Sequence, residues 1–306
     1  MARYKPYGVN INGTVYGGVT EQNIDSGVEV NSEVTAGAST PQFAEINQIG
    51  SAGQFTSHDI SSILGAIGAK GLCLEGTDEA GFGIYMLQRE DCGTIASGSV
   101  HRQTVIPNGL IVPRTLTVQQ GQRASLQCEV FGLYDGTNEP ILVETSIAAP
   151  TGLTDLVGFH LGPVSVGGVS ITQLTQVTID FGIEVQPEYE DGESYPVSLD
   201  ISKRQPTISI QTSDVTKFGA SGIPLTGKAC THANTSIVLR KRLINTGSFV
   251  TGENQAEFTA AGIAHVRKVA GASNNGTHDM EIMITSVDDT TNEMLDMDFT
   301  YDLNPA

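Results

Sequence analysis

The sequence has no tryptophan, few basic residues and no long apolar run, and the last two each close off a class of function. Sixteen lysine and arginine residues stand against 34 aspartate and glutamate, a formal charge of −18. Holding nucleic acid through its phosphates needs clustered basic side chains, so that balance excludes the protein as a phosphate-neutralising DNA or RNA binder. No apolar segment approaches the roughly 20 residues that cross a bilayer, so no membrane partner is expected. The first residues, Met-Ala-Arg-Tyr-Lys-Pro-Tyr, lack the apolar centre of a secretion signal, and assembly in a cytoplasm is the expectation.

Metal and catalytic patterns are equally scarce. The four cysteines, Cys73, Cys92, Cys128 and Cys230, show no CxxC spacing. Cys73 and Cys128 occupy apolar positions of strand-like segments, which predicts buried free thiols and no disulfide framework. The histidines at 58, 101, 160, 232, 265 and 278 form no HExxH or comparable ligand spacing. There is no GxSxG elbow and no Walker loop, and Gly81-Phe-Gly83 lacks the third glycine of a dinucleotide fingerprint. The acidic run from Glu188 to Glu193 does not follow the order of a calcium loop. Neither an enzyme nor a cofactor or metal site is expected.

What the sequence does contain is a repeat. Residues 20–41, TEQNIDSGVEVNSEVTAGASTP, return as residues 175–196, TQVTIDFGIEVQPEYEDGESYP, at a constant shift of 155 and with ten of 22 positions identical. Ordinary composition gives about one chance match in such a window. The pairing continues outward through Val9 with Val164, Gly13 with Gly168 and Asp59 with Asp214, and drifts by one residue late in each half. A unit of this length is domain-sized, and the break at AAPTG (148–152) divides the chain into 1–150 and 151–306.

Within the repeated stretch, apolar and polar residues alternate. Ile24, Val28, Val30 and Val34 oppose Asp25, Glu29 and Glu33, while Ile179, Ile183, Val185 and Tyr189 oppose Asp180, Glu184 and Glu188. Period-two alternation predicts one long strand per copy, its apolar face on a core and its acidic face in water. Such a face is also what a plain solvated strand carries. One helix signal stands out: Ser57-His-Asp59 supplies capping residues, and Ile60, Ile63, Leu64 and Ile67 follow at helical spacing up to Gly68. Thr212-Ser-Asp214 before Val215 and Phe218 predicts a counterpart. Thirty-five glycines and many Val, Ile and Thr favour strands and turns elsewhere. Hairpins are expected around 76–81 and at the C-terminus. Arg240-Lys-Arg242 has no basic match in the first copy and reads as an exposed strand end or as a contact to an acidic neighbour. The expected fold class is all-β with one short helix per domain, in two tandem β-sandwich domains.

The Gly17-Gly18 segment, the acidic strand, the polar loop ending at Pro41, the Ser57-His-Asp59 helix and the antiparallel strands after it resemble, in that order, the tail tube proteins of long-tailed phages. The resemblance covers both halves and rests on architecture and duplication rather than on a diagnostic motif. It implies a β-sandwich flanked by a helix. It also implies a homo-oligomer of trimeric rings with pseudo-sixfold symmetry, stacked as a tube in the virion tail and joined to tail terminator, tape measure and baseplate proteins. DNA would pass without specific binding, along a lumen lined by Asp25, Glu29, Glu33, Asp180, Glu184 and Glu188. Thr35, Gly37 and Ser39, with Glu190, Gly192 and Ser194, lie in polar loops able to reach a neighbouring ring. The alternative is a capsid-surface or adhesive β-sandwich protein.

Overall fold

The computed structural model describes the chain apart from residues 1–2, 77–80, 91–92, 138, 153–156, 191, 220–222, 224–232, 243–247, 253, 269–279, 287–293 and 304–306. The first half begins β1 (Arg3–Ile11), β2 (Thr14–Tyr16), β3 (Val19–Asp25), β4 (Val28–Glu33), β5 (Phe43–Ile49), β6 (Ala52–Ser57) and helix α1 (Ile60–Ile67). It continues through β7 (Leu72–Leu74), β8 (Phe82–Arg89), β9 (His101–Ile106), β10 (Gly109–Gln119), β11 (Ser125–Gly132) and β12 (Leu142–Ile147). The second half runs β13 (Gly158–Val166), β14 (Val169–Ile171), β15 (Leu174–Asp180), β16 (Ile183–Tyr189), β17 (Pro196–Arg204) and β18 (Thr207–Thr212). A single 3₁₀ turn (Val215–Lys217) follows, then β19 (Ala233–Arg242), β20 (Gln255–Lys268), β21 (Met280–Ser286) and β22 (Asp296–Tyr301). The chain is all-β, as its composition implies, and β1, β2, β3 and β6 recur as β13, β14, β15 and β18 with both ends displaced by 155.

In the first half β12-β9-β8-β1-β2 form one layer, and the strands around β10, β11, β6 and β3 form the facing one. Phe55 of β6 stacks on Phe82 of β8 with ring centroids 5.4 Å apart, which places the core between the layers. In the second half the two layers are continuous, because β20 pairs with β19 along its first part and with β21 along its second. Its first-half counterpart is split into β9 and β10 at Pro107-Asn108, where proline withdraws a ladder donor. The halves share one thirteen-stranded sheet through β10 and β15, paired from Thr115 with Asp180 to Gln119 with Gln176. Buried side chains of both halves belong to one cluster, including Leu116, Val118, Val177 and Ile179 along that join.

Helix α1 forms where its spacing predicts. Ile60, Ile63, Leu64 and Ile67 are all buried, and Gly68, at φ +68°, ends it by donating its N–H to Leu64 O at 2.8 Å. The Ser57 hydroxyl accepts the Asp59 N–H at 3.0 Å, while Asp59 makes no side-chain cap of its own. The counterpart shrinks to one 3₁₀ turn, a departure from the expected second helix. Only Val215 and Phe218 are apolar there, Val215 is exposed, and Gly219 at φ +109° ends the run before a second turn.

Three further expectations are corrected. Strand β7 pairs with β10 rather than forming a hairpin with β8, and residues 77–80 between them lie outside the described residues. Strand β22 pairs with β20 and not with β21, because it covers the edge of the layer that β12 closes in the first half. Cys128 is buried, and burial pushes its thiol pKa up, but Cys73 is exposed because β7 is a short edge strand. Cys92 and Cys230 lie outside the described residues.

Candidate functional site

The repeated acidic stretch is not one strand in either copy. It breaks after Asp25 and after Asp180. The Asp25 carboxylate accepts the Gly27 N–H at 3.0 Å, and the Asp180 carboxylate accepts the Gly182 N–H at 2.9 Å. Such side-chain turns replace a ladder bond and stop the strand. Gly27 and Gly182 sit at φ +59° and +58°, and a Cβ on them would lie 2.0 Å from Gly50 O or 1.9 Å from Gln205 O. Only glycine fits both the backbone angle and that approach. The Asp-x-Gly identity between the copies therefore encodes a corner. Before it, β3 and β15 stay in the large sheet; after it, the chain leaves as the hairpins β4–β5 and β16–β17, each a separate two-stranded sheet.

The corner gives the six sequence-selected carboxylates two roles. Asp25 and Asp180 hold the turns, while Glu29, Glu33, Glu184 and Glu188 ride the hairpins, and all six are exposed. Cross-strand register puts Glu29, Asn31 and Glu33 on one face of the first hairpin with Gln48, Glu45 and Phe43. In the second, Glu184, Gln186 and Glu188 share a face with Lys203, Asp200 and Ser198. Lys203 Nζ meets Glu184 at 2.9 Å, and the Ser198 hydroxyl donates to Glu188 at 2.8 Å. Both ends of that ion pair are more than half exposed, so it is worth at most about 1 kcal/mol.

The opposite faces differ sharply. In the second hairpin Ile183 is buried, and Val185, Leu199 and Ile201 pack against the core. In the first, Val28, Val30 and Ile46 share a face that is 44%, 63% and 52% exposed, and Phe43 on the acidic face is 64% exposed. The expectation that β4 lays its apolar side on a core is therefore overturned. Position in the chain explains the difference: the second hairpin leans on the first half, and the first hairpin has no such support. Ser194 O accepts the Ile49 N–H at 2.8 Å, Pro196 O accepts the Tyr134 N–H at 3.2 Å, and the Tyr189 hydroxyl meets Gln48 Nε2. Tyr195 stacks on Tyr134 with centroids 4.9 Å apart.

The two polar loops share one turn and differ in surroundings. Gly37 and Gly192 stand at φ +90° and +91°. In the first loop the Thr35 hydroxyl donates to Gln42 Oε1 at 2.8 Å, and residues 39–47 are all exposed. In the second, Glu190 O accepts the Glu193 N–H at 3.1 Å, and Ser194 is taken up by the contact with Ile49.

The join between the halves depends on a residue that the sequence did not single out. Arg114 sits in a β-bulge, its O accepts the Phe181 N–H at 3.0 Å, and its guanidinium reaches Glu129 at 2.5 Å and Ile183 O. Arg240 and Arg242 are not a bare strand end. Their guanidinium groups lie 4.4 and 5.7 Å from the centre of the Phe249 ring, whose edge contact with His160 completes the cluster. Burial, then the Arg242 charge, hold the His160 pKa below its ordinary value.

No protein-family model matches this chain, and no curated protein is significantly similar to it. Among the described residues no helix is long and apolar enough to cross a membrane.

Proposed function

We propose that the chain is a structural protein whose copies close into rings and stack as the tail tube of a phage, with the acidic hairpins lining the channel. The observation that carries this reading is that one chain holds two acid-faced hairpins, built on the same Asp-x-Gly corner 155 residues apart, that meet through Gln48 and Ile49 against Tyr189 and Ser194. A chain that sets two copies of one element side by side is already a third of a sixfold arrangement. Three chains complete the ring, and heterologous contacts of this kind close when the rotation fits.

Glu29, Glu33, Glu184 and Glu188 then repel the DNA backbone. With a Debye length of about 8 Å at physiological salt, the repulsion acts near the wall and keeps DNA from sticking without obstructing a wide bore. The loops at Thr35, Gly37 and Ser39, and at Glu190 and Gly192, reach the next ring, while Ser194 stays on Ile49 within the chain. Tape measure, terminator and baseplate proteins are the partners that such a tube requires, and the virion tail is its location.

Two measurements test the reading. Negative-stain images of the concentrated protein are expected to show hollow tubes or annular particles, and dispersed solid particles at every concentration would refute it. In assembled phage particles, changing the four glutamates to lysine is expected to slow DNA ejection at low salt and to restore it as salt rises, because lysine holds phosphate by counterion release. Ejection unaffected at low salt would put these carboxylates on the outside of the particle. Asp25 and Asp180 are left in place, so the corners persist.

A further inference from the structure

In a chain with sixteen lysine and arginine residues against 34 acidic ones, three arginines gather on one face of the large sheet. Arg123, just ahead of β11, bridges to His160 of β13, and the Ala124 N–H fixes the bridge by donating to Phe159 O at 2.8 Å. His160 in turn lies opposite Arg240 of β19. Residues opposite one another in adjacent strands share a face, so these side chains form a row with the short imidazole between two long arginine arms. Arg242, two residues beyond Arg240, stands on the same face with Gly158 opposite it.

The pairing register shows what sets this patch apart from the first half. There Arg3 lies opposite Arg89 and Lys5 opposite Leu87, where the second half has Gly158 opposite Arg242 and His160 opposite Arg240. Both registers are anchored alike, by Val9 with Ile84 and by Val164 with Ile237. Arg242 therefore has a basic counterpart in Arg89, which the constant shift of 155 conceals. The second half adds Arg240 and replaces a long side chain by glycine at 158. A Cβ on Gly158 would lie 3.5 Å from Arg123 Nε, so the Arg123 arm lies over the glycine that Arg242 faces.

Phe249 orders the cluster. It bridges to Arg242, and its ring centre lies 4.4 Å from the guanidinium carbon of Arg240, 5.7 Å from that of Arg242 and 6.1 Å from the His160 ring. Arg240 Nε is shielded from solvent and has no hydrogen-bond partner, and among the described residues neither Arg123 nor Arg240 forms an ion pair. Buried donors are almost always satisfied. Burial and the neighbouring Arg242 and Arg123 charges hold the His160 pKa down, so the positive charge of the patch is that of its guanidinium groups. Like charges gathered in this way raise one another's energy unless a counter-charge joins them.

We propose that Arg123, Arg240 and Arg242, with His160 between the first two, bind a phosphate dianion, either free or as the end group of a phosphate monoester. Guanidinium forks match the oxygens of such an anion, and a tetrahedral ligand accepts from donors that arrive from several strands. The stack on Phe249 holds two of the forks in place before the ligand arrives. Arg123 and Arg242 are exposed and Arg240 is half-buried, so the patch is open to solvent. A carboxylate brings one charge and two oxygens in a plane, and a phosphodiester brings one charge and two free oxygens. Both fit three guanidinium groups less well than a dianion does. The site draws Arg123 from the first half and its other members from the second, so it is complete within one chain and does not rest on the tube reading.

Equilibrium dialysis of the full chain against radiolabelled phosphate at low ionic strength tests the site. Saturable binding of one phosphate per chain is expected, displaced by unlabelled phosphate and by glycerol phosphate but not by equal concentrations of acetate or of a short single-stranded oligonucleotide. Stronger displacement by glycerol phosphate assigns the site to a monoester, and stronger displacement by phosphate assigns it to the free anion. Arg240→Gln is expected to raise the dissociation constant at least tenfold, but it also loses the contact with Phe249. Arg123→Gln, at an exposed position away from that ring, is therefore the decisive variant, with the same expected change. Lys241→Gln removes an equal charge from the opposite face of β19 and is expected to leave binding unchanged. The site is overturned if the folded wild type binds no phosphate saturably, if acetate or the oligonucleotide competes as well as phosphate, or if Lys241→Gln weakens binding as much as Arg123→Gln. Dialysis reads single and assembled chains alike, so none of these outcomes bears on the tube.

Discussion

Two glycines and two aspartates decide where the acidic segments leave the sheet, and their substitution has a graded outcome. Gly182→Ala places a methyl 1.9 Å from Gln205 O at φ +58°. Both the angle and the collision must be relieved, which is expected to cost roughly 2–4 kcal/mol. Gly192→Ala, at φ +91° with nothing near its Cβ, meets the angle alone and is expected to cost about 1 kcal/mol. Urea denaturation of the two variants checks the order, and equal losses would mean that the contact with Gln205 yields freely.

Asp214 supplies a pH-dependent counterpart at the same scale. The Thr172 hydroxyl, then the Thr216 hydroxyl and N–H, hold its carboxyl below the ordinary value of 3.8. A carboxylate favoured in the folded state contributes stability that is complete above that ordinary value and is lost as the pH falls through the lowered one. Melting temperatures from pH 6 down to pH 2 are therefore expected to fall more steeply for the wild type than for Asp214→Asn. Parallel curves would show that the threonines do not favour the charged form.

Among the elements, helix α1 is the clearest case of local pattern and tertiary packing agreeing. Its four large apolar residues lie on one side and all are buried. Leu64→Ala is expected to cost about 2–5 kcal/mol in chemical denaturation, the range for a large side chain removed from a packed core. A loss under about 0.5 kcal/mol would mean that the helix only rests on the sandwich. The hairpins behave differently, because one alternating pattern yields a half-buried ribbon at 183–204 and an exposed one at 28–49. Alternation identifies two faces. It does not say which neighbour will cover the apolar one.

For the whole molecule, one sheet and one core run through both halves, so the repeat behaves as two arms of a shared scaffold. The join consists of β10 against β15, Arg114 at its bulge and the seat of the second hairpin on Gln48, Ile49 and Tyr134. The imaging and ejection experiments ask whether copies of this scaffold associate with their acidic hairpins turned toward one channel.

The sequence alone determined the β class, the repeat and the position of α1, because each follows from local periodicity, turn residues or direct self-comparison. It also marked Asp25, Gly27, Asp180 and Gly182 as repeated, yet their meaning as corners was hidden. An aspartate with a glycine two residues on continues a period-two pattern on paper, and only the approach of Gly50 O and Gln205 O shows that the chain turns there. The shrinkage of the second helix was decided locally, by Gly219 and the missing third and fourth apolar positions. Pairing partners were decided by tertiary structure: β7 joins β10, β22 joins β20, and Arg114 occupies a bulge that no spacing rule reveals. Strand pairing is a contact between residues far apart in the chain, so its register is fixed by what packs on each face.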